Sequence, residues 1–335
     1  MSPTIKDIAE RANVSMMTVS RVINDSGSVA SDTRERVERI IEELDYRPNL
    51  IARSLLNRRS AIVYVIVPDI ANPFYAELTR GVEMVARDFG YNLIVSSAHW
   101  NEDLECEQIE AALGRMAEAI ILVLPRVSEK RIQDYQGRIP LVVVDRHIRS
   151  RNIDSIYIQQ DRGAAIAVDH LISLGHRRIA FISGPETIYN SVARCRGYQR
   201  ALTNHSIDIE PSYIIKGDFS FESGQRAYYQ IREIDPSIRP TAVFAASDLM
   251  ALGFMRSAFI HNMRIPDDMS LVGFDDISLS SMTNPPLTTV RHPFIKMGRE
   301  AMSHVLRKLE PSADIPPGLI LENSLHIRET TRTIH

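Results

Sequence analysis

Thr4-Ile5-Lys6-Asp7-Ile8-Ala9-Glu10-Arg11-Ala12-Asn13-Val14-Ser15-Met16-Met17-Thr18-Val19-Ser20-Arg21-Val22-Ile23-Asn24 carries two short amphipathic periods separated by a turn. Ile5, Ile8, Ala9 and Ala12 fall at i, i+3, i+4 and i+7, and Val19, Val22 and Ile23 repeat that spacing. Such spacing gathers apolar side chains on one face of a helix. Thr4, with Asp7 three residues on, reads as the cap of the first helix, and Ser15 as the cap of the second. Asn13 tolerates the left-handed backbone that a tight turn needs. Helix, tight turn and helix make a helix-turn-helix, a motif whose second helix enters the major groove of DNA. With Val19, Val22 and Ile23 turned inward, Met17, Ser20, Arg21 and Asn24 face outward and Met16 sits at the flank. The same periodicity also fits a plain three-helix bundle on which Met16 packs.

Outward from this stretch, Val37, Ile40, Ile41 and Leu44 predict a third helix, with Ser31 as its cap, after a loop over 24–28. The headpiece thus spans 1–46. Residues 47–60 carry four arginines and no acidic residue. A lone amphipathic stretch this short is marginal as a helix until something holds it, so the segment reads as a linker or hinge helix.

From 61 to 335 the pattern changes. Ile62–Val67, Leu93–Val95, Ala119–Leu124, Leu141–Val144, Ile179–Ile182, Ala242–Ala246 and Leu271–Phe274 are apolar runs of the buried parallel-strand kind. Helical patterns such as Phe74–Phe89 and Leu249–Phe259 alternate with them, predicting an α/β fold with parallel sheets. Ligands bind beyond the carboxyl ends of such strands. Asp69, Ser97, Asp145, Gly184, Ser247 and Asp275 are therefore site candidates by position.

Composition bounds the function. The 335 residues are 44% hydrophobic and 24% charged, with a net charge of −3, the balance of a soluble globular chain whose nucleic-acid contacts must come from local charge. Two cysteines, Cys106 and Cys195, suggest reduced thiols rather than a disulfide framework. No secretory signal and no run of about 20 apolar residues is present, so a cytoplasmic location and no membrane partner are expected. No nucleophile elbow, phosphate-binding loop, dinucleotide fingerprint or zinc-protease motif occurs. Neither an enzyme nor a cofactor or metal site is expected.

The headpiece motif, together with Tyr46-Arg47-Pro48-Asn49, Ala52-Arg53-Ser54-Leu55, Asn72-Pro73-Phe74-Tyr75, Leu174-Gly175-His176-Arg177-Arg178, Asp248-Leu249-Met250-Ala251-Leu252-Gly253 and Pro286-Leu287-Thr288-Thr289-Val290, resembles the lactose-repressor (LacI/GalR) family. The resemblance runs along nearly the whole chain. It implies a fold: an all-α helix-turn-helix headpiece joined to a two-lobed, periplasmic-binding-protein-like α/β core. The lobes would hold roughly 61–160 with 292–320, and 161–291 with 321–335. It implies a function as well: a homodimeric transcriptional regulator, a repressor rather than an activator, bound to a pseudo-palindromic operator in double-stranded DNA. A small polar effector, sugar-like, would control it. The competing reading is a sugar-binding or sugar-processing protein without DNA function.

Carried over by residue, Met16, Met17 and Arg21 would read bases, and Thr4, Ser15, Thr18, Asn24 and Tyr46 would meet phosphates. The hinge, with Ala52 and Arg53, would fold on DNA and wedge Leu55 into the minor groove. Arg suits guanine, an apolar side chain suits the thymine methyl, and an inserted leucine unstacks a base step. Phe74, Tyr75, Asp145, Arg146, Arg194, Phe219, Ser247 and Asp275 would line the effector cleft. Carboxylates and guanidinium pair with hydroxyls while rings cover a sugar's apolar face. Arg194 also fits an ordinary ion pair, Asp275 a cap, Phe219 plain core, and Trp100 either a pocket wall or lobe packing. Three departures from the family stand out: methionine at both reading positions, Ser247 where Asn is common, and Gln159-Gln160 where Asp-Asn is common.

Overall fold

The computed structural model describes residues 3–23, 25–46, 60–150, 153–310 and 318–334. It divides into two compact units, 1–60 and 61–335.

In the first unit, α1 (Ile5–Ala12), α2 (Met16–Ile23) and α3 (Ser31–Glu43) surround one small core. Thr4 Oγ1 accepts from the Asp7 amide at 3.3 Å while Asp7 Oδ2 accepts from the Thr4 amide at 2.8 Å, a reciprocal capping box. These bonds hold the Asp7 carboxyl below its usual range. Asn13, at φ 49° and ψ 52°, ends α1 in the left-handed conformation. Ser15 Oγ accepts from the Thr18 amide at 3.1 Å and so starts α2. The expected Ser31 cap is a correction. Ser31 lies inside the first turn of α3, and Ala30 precedes it with no side-chain cap. The Ala30 carbonyl instead accepts from the Thr33 and Arg34 amides. Ile8, Ala9, Ala12, Val19, Val22, Val37 and Ile40 are buried together, with Leu44 and Tyr46 packed against them.

The second unit runs β1 (Ile62–Val67), α4 (Pro73–Asp88), β2 (Asn92–Ser97), α5 (Glu102–Gly114), β3 (Ala119–Val123), α6 (Glu129–Gln136), β4 (Leu141–Val144), β5 (Asp154–Ile158), α7 (Gln160–Ser173), β6 (Ile179–Ser183), α8 (Tyr189–Asn204), β7 (Ile214–Lys216), α9 (Phe221–Glu233), β8 (Ala242–Ala245), α10 (Asp248–Ile260), β9 (Ser270–Asp275), β10 (Thr288–Arg291), α11 (Phe294–Leu309), β11 (Leu319–Leu321) and β12 (Ser324–His326). Two six-stranded sheets result, ordered β11-β5-β4-β3-β1-β2 and β12-β10-β9-β8-β6-β7. Each organises one lobe. All pairings are parallel except β10 with the edge strand β12.

The chain passes from the first lobe to the second after β5 and returns with α11, which packs against α4 and the strands β3, β4 and β5. That return is tight. A Cβ on Gly81 would collide with the Ile295 carbonyl, and one on Gly298 with that of Leu78. The chain then adds β11 to the first sheet and β12 to the second. No helix among the described residues is long and apolar enough to cross a membrane.

Candidate functional site

Burial of Val19 and Val22 fixes which face α2 shows to solvent. Met16 and Met17 are 57% and 64% exposed and Arg21 is exposed beside them, so Met16 does not pack into the bundle. Two bulky thioethers in water signal a contact surface, since burying each is worth roughly 1.5–3 kcal/mol. The Ser15 and Thr18 hydroxyls lie 3.0 Å apart. That bond uses one of their two protons and leaves the other for an outside acceptor. Thr4 is placed differently: its hydroxyl donates to Asp7 at 2.8 Å. Tyr46 is half-buried against the helical core. Asn24, Ala52, Arg53 and Leu55 lie outside the described residues.

Between the two lobes lies a cavity of about 30 Å³. The first lobe lines it with Asn72, Phe74, Tyr75, Trp100, Leu124 and Asp145. The second supplies Asn190, Arg194, Phe219, Ser247 and Asp275. Seven of the eight residues expected in the effector cleft thus meet in one place. Of the strand-end candidates, Asp145, Ser247 and Asp275 are here. Asp69 instead accepts from the Ala71 amide, and Ser97 donates to the Pro68 carbonyl. A Cβ on Gly184 would strike the Phe219 ring, so that glycine makes room for the wall.

Arg146 faces an adjoining space rather than this cavity. It is absent from the lining, and its Nη1 donates to the carbonyls of Pro125 at 2.6 Å and Val127 at 2.9 Å. Asp145 at φ 63° turns the chain just before it, so neighbours in sequence serve different spaces. Trp100, Leu124, Phe219 and Asp275 also hold positive φ, at 58°, 46°, 68° and 125°. Non-glycine residues are rarely found there, and strain of this kind concentrates at ligand sites.

Arg194 and Asp145 organise the interior. Arg194 Nε donates to Gln160 Oε1 at 2.9 Å and Nη1 donates to the Ala246 carbonyl. Its guanidinium carbon stands 3.8 Å from the centroid of Phe274. Nη2 comes within 3.4 Å of Asp275 Oδ1, a charge contact without a hydrogen bond, since that oxygen has no hydrogen-bond partner. Burial pushes the Asp275 carboxyl well above the usual range, with Arg194 pulling the other way. Asp145 accepts from Gln160 Nε2 at 2.8 Å and from Asn190 Nδ2 at 2.6 Å. His292 Nε2 is 3.2 Å from the same carboxylate, and burial holds that imidazole below its usual pKa. Burial likewise raises the Tyr75 hydroxyl, so the ring is a neutral donor. Asn190 Oδ1 and Asp275 Oδ1 are buried acceptors without a bond. Such orphans cost about 1–3 kcal/mol each unless a hydroxyl meets them. Trp100 and Phe219 stack at 6.2 Å, giving the cavity a flat aromatic wall.

Sequence reasoning did not single out Asn190, Leu124 or Asn72 as lining. In the sequence Gln160 stands out only as a family departure, and Trp100 fits two roles equally. The Gln160 signal was real: where Asn is common, a longer amide spans from Asp145 to Arg194.

Among known proteins, the profile of bacterial regulatory proteins of the lacI family matches residues 4–49. A periplasmic binding protein-like domain matches residues 168–331. Catabolite control protein A of Priestia megaterium is 38% identical over 335 residues, covering 99% of this chain and 100% of that protein. The Lac repressor dimer bound to operator and the anti-inducer ONPF is 29% identical, with TM-score 0.87 over 99% of this chain and 100% of that one. A complex of the transcriptional regulator CelR with cellobiose is 31% identical, with TM-score 0.73 over 98% of this chain and 99% of that one.

Proposed function

The chain belongs to the lacI family of bacterial regulatory proteins, a DNA-binding transcriptional regulator and not an enzyme, and from that premise we propose how its parts act. The headpiece, 1–46, reads an operator through Met16, Met17 and Arg21. Ser15, Thr18, Ser20, Asn24 and Tyr46 meet the backbone beside them, and Thr4 serves α1 first and a phosphate second. The hinge, 47–60, brings Ala52, Arg53 and Leu55 to the minor groove. The core, 61–335, binds a polyhydroxylated effector between its lobes, and the protein acts in the cytoplasm as a repressor.

One observation carries the effector reading. Asp145, Arg194 and Asp275 come from distant parts of the chain to a single inter-lobe cavity, under an aromatic wall, with buried acceptors left unbonded. At about 30 Å³ the cavity holds little more than a water. A sugar ring enters as the lobes part, and its hydroxyls replace bonds the cavity residues now make among themselves. Linkage requires that effector and operator alter each other's affinity by the same factor.

The homodimer forms through the second lobe. Phe259, Ile260, Leu279 and Met282 are exposed along an apolar groove that Met255 and Pro285 help to line. A patch of this kind marks an interface. A second copy is the occupant that places two headpieces on a pseudo-palindromic site, as a dimer does in the operator-bound Lac repressor. The test pairs operator selection from random duplexes with a thermal-shift screen of sugars. A sugar that stabilises the chain and changes its affinity for the selected operator supports the reading. A selected operator whose affinity no stabilising sugar alters overturns it.

A further inference from the structure

Beside the inter-lobe cavity is a second chamber of about 410 Å³, and the two share Trp100 and Leu124. On its first-lobe side stand Arg126, Arg146 and Arg149, with His147. Glu129 is the one carboxylate in its wall, and Glu105 and Glu102 stand behind it near Arg146. Among the described residues, none of the three arginines makes an ion pair. Arg146 is held in place by the two carbonyls that its Nη1 reaches, with Glu129 as the strongest charge acting on it.

The opposite wall belongs to the second lobe. Thr187, Ile188 and Tyr189 form it and lead into α8, a helix of 16 residues that begins at Tyr189. Its cap residue, Ile188, offers no side-chain oxygen, and its first turn contains no acid. A helix start left so concentrates unpaired amides and the positive end of the helix dipole. Arginines on one wall and an uncapped helix start on the other are two independent arrangements favouring one chemistry, an anion with several acceptor oxygens.

We propose that the effector is a phosphate ester of a sugar or polyol, its ring in the inter-lobe cavity and its phosphate in this chamber. The inference rests on the inter-lobe cavity being the effector site. A phosphate offers oxygens in several directions, which suits donors arriving from both lobes. A carboxylate presents only two oxygens in one plane. Because the arginines move with one lobe and the helix start with the other, the anion ties the lobes together. A neutral sugar supplies the ring contacts without that tie.

Trp100 is the single tryptophan of the chain and borders both spaces, so its emission reports on each. The full chain is titrated with inorganic phosphate against chloride at matched ionic strength. Hexose and pentose phosphates, their neutral parents and hexuronic acids follow, with operator affinity measured alongside. The expected result is a saturable change with inorganic phosphate, and a sugar phosphate at least tenfold tighter than its neutral parent. Arg126→Gln/Arg149→Gln, changed at two exposed positions, should raise the apparent Kd for phosphate at least fivefold with an unaltered melting temperature. The two single variants serve if the double variant folds poorly. If a neutral sugar or a uronic acid binds as tightly as its phosphate ester and shifts operator affinity, the anion subsite is wrong and the effector site stands. If no sugar of any class binds or shifts operator affinity, both fall.

Discussion

Asn190 of the second lobe donates its side-chain amide to Asp145 Oδ2 of the first at 2.6 Å. Gln160, at the start of α7, reaches the other oxygen at 2.8 Å. One buried carboxylate at the end of β4 is therefore gripped by two amides from the opposite lobe. A hydrogen bond to a charged group contributes about 1.5–3 kcal/mol. Asn190→Ala should bias the core toward an open arrangement, with a larger radius of gyration in small-angle scattering and effector affinity roughly tenfold lower. Identical scattering and identical affinity would remove the latch from the argument.

Asp248 supplies a pH signature. It is fully buried at the start of α10 and accepts from Ser280 Oγ and Thr289 Oγ1 at 2.6 Å each and from the Ile277 amide at 3.0 Å. Burial outweighs these bonds and lifts its carboxyl from 3.8 to about 6. A raised acid in the folded state stabilises the fold below the unfolded pKa relative to higher pH, and that advantage is lost as pH rises through the folded value. The loss from this group between pH 4 and pH 7 is roughly 2 kcal/mol. Asp248→Asn cannot titrate. Urea unfolding should therefore show the wild type's margin over this variant shrinking across that range, and a constant margin would refute the assignment.

How far these groups could be read in advance follows from what each depends on. The strands β1, β3, β4, β6, β8 and β9 are buried apolar runs, and their local composition announces them. Strand β5 begins Asp154-Ser155 and pairs on both sides, while β7, β11 and β12 are three-residue edge strands, so pairing defines all four more than composition. Asp145 and Asp275 were legible because strand ends point to sites. Asn190 was not, since its partner lies 45 residues away in the other lobe and no local pattern encodes a cross-lobe bond. That Arg146 faces the adjoining chamber and not the inter-lobe cavity is not legible either, because a single left-handed residue before it redirects the side chain, and φ is not visible in composition.

The dimer face gives a third expectation. Phe259 and Met282 are each 74% exposed at the groove of the second lobe. Placing carboxylates there buries unpaired charge in any interface that uses the face. Phe259→Glu/Met282→Glu should sediment as a monomer at micromolar concentration, where the parent sediments as a dimer, with unchanged helix content. Operator affinity should fall at least a hundredfold, because each copy then binds one half-site alone. A double variant that still sediments as a dimer would move the interface elsewhere.

The reading face of α2 supplies the last expectation, and it separates two kinds of contact. Arg21 is exposed next to two methionines with no hydrogen-bond donor to offer a base. Hydrogen-bond discrimination at that helix therefore falls to Arg21, and the methionines can read only shape or the thymine methyl. Arg21→Ala should cost about 1–3 kcal/mol on the selected operator and flatten preference at one base pair. An equal loss on random duplex would make Arg21 a phosphate contact instead. The methionines have their own signature. Replacing thymine by uracil at the half-site removes a methyl and leaves every hydrogen-bonding edge unchanged. Wild-type protein should bind the uracil duplex more weakly, while Met16→Ala/Met17→Ala should bind both duplexes alike. If the wild type ignores the substitution at every thymine of the half-site, the methionines do not read methyl groups, and the exposed thioethers of α2 meet the DNA by shape alone.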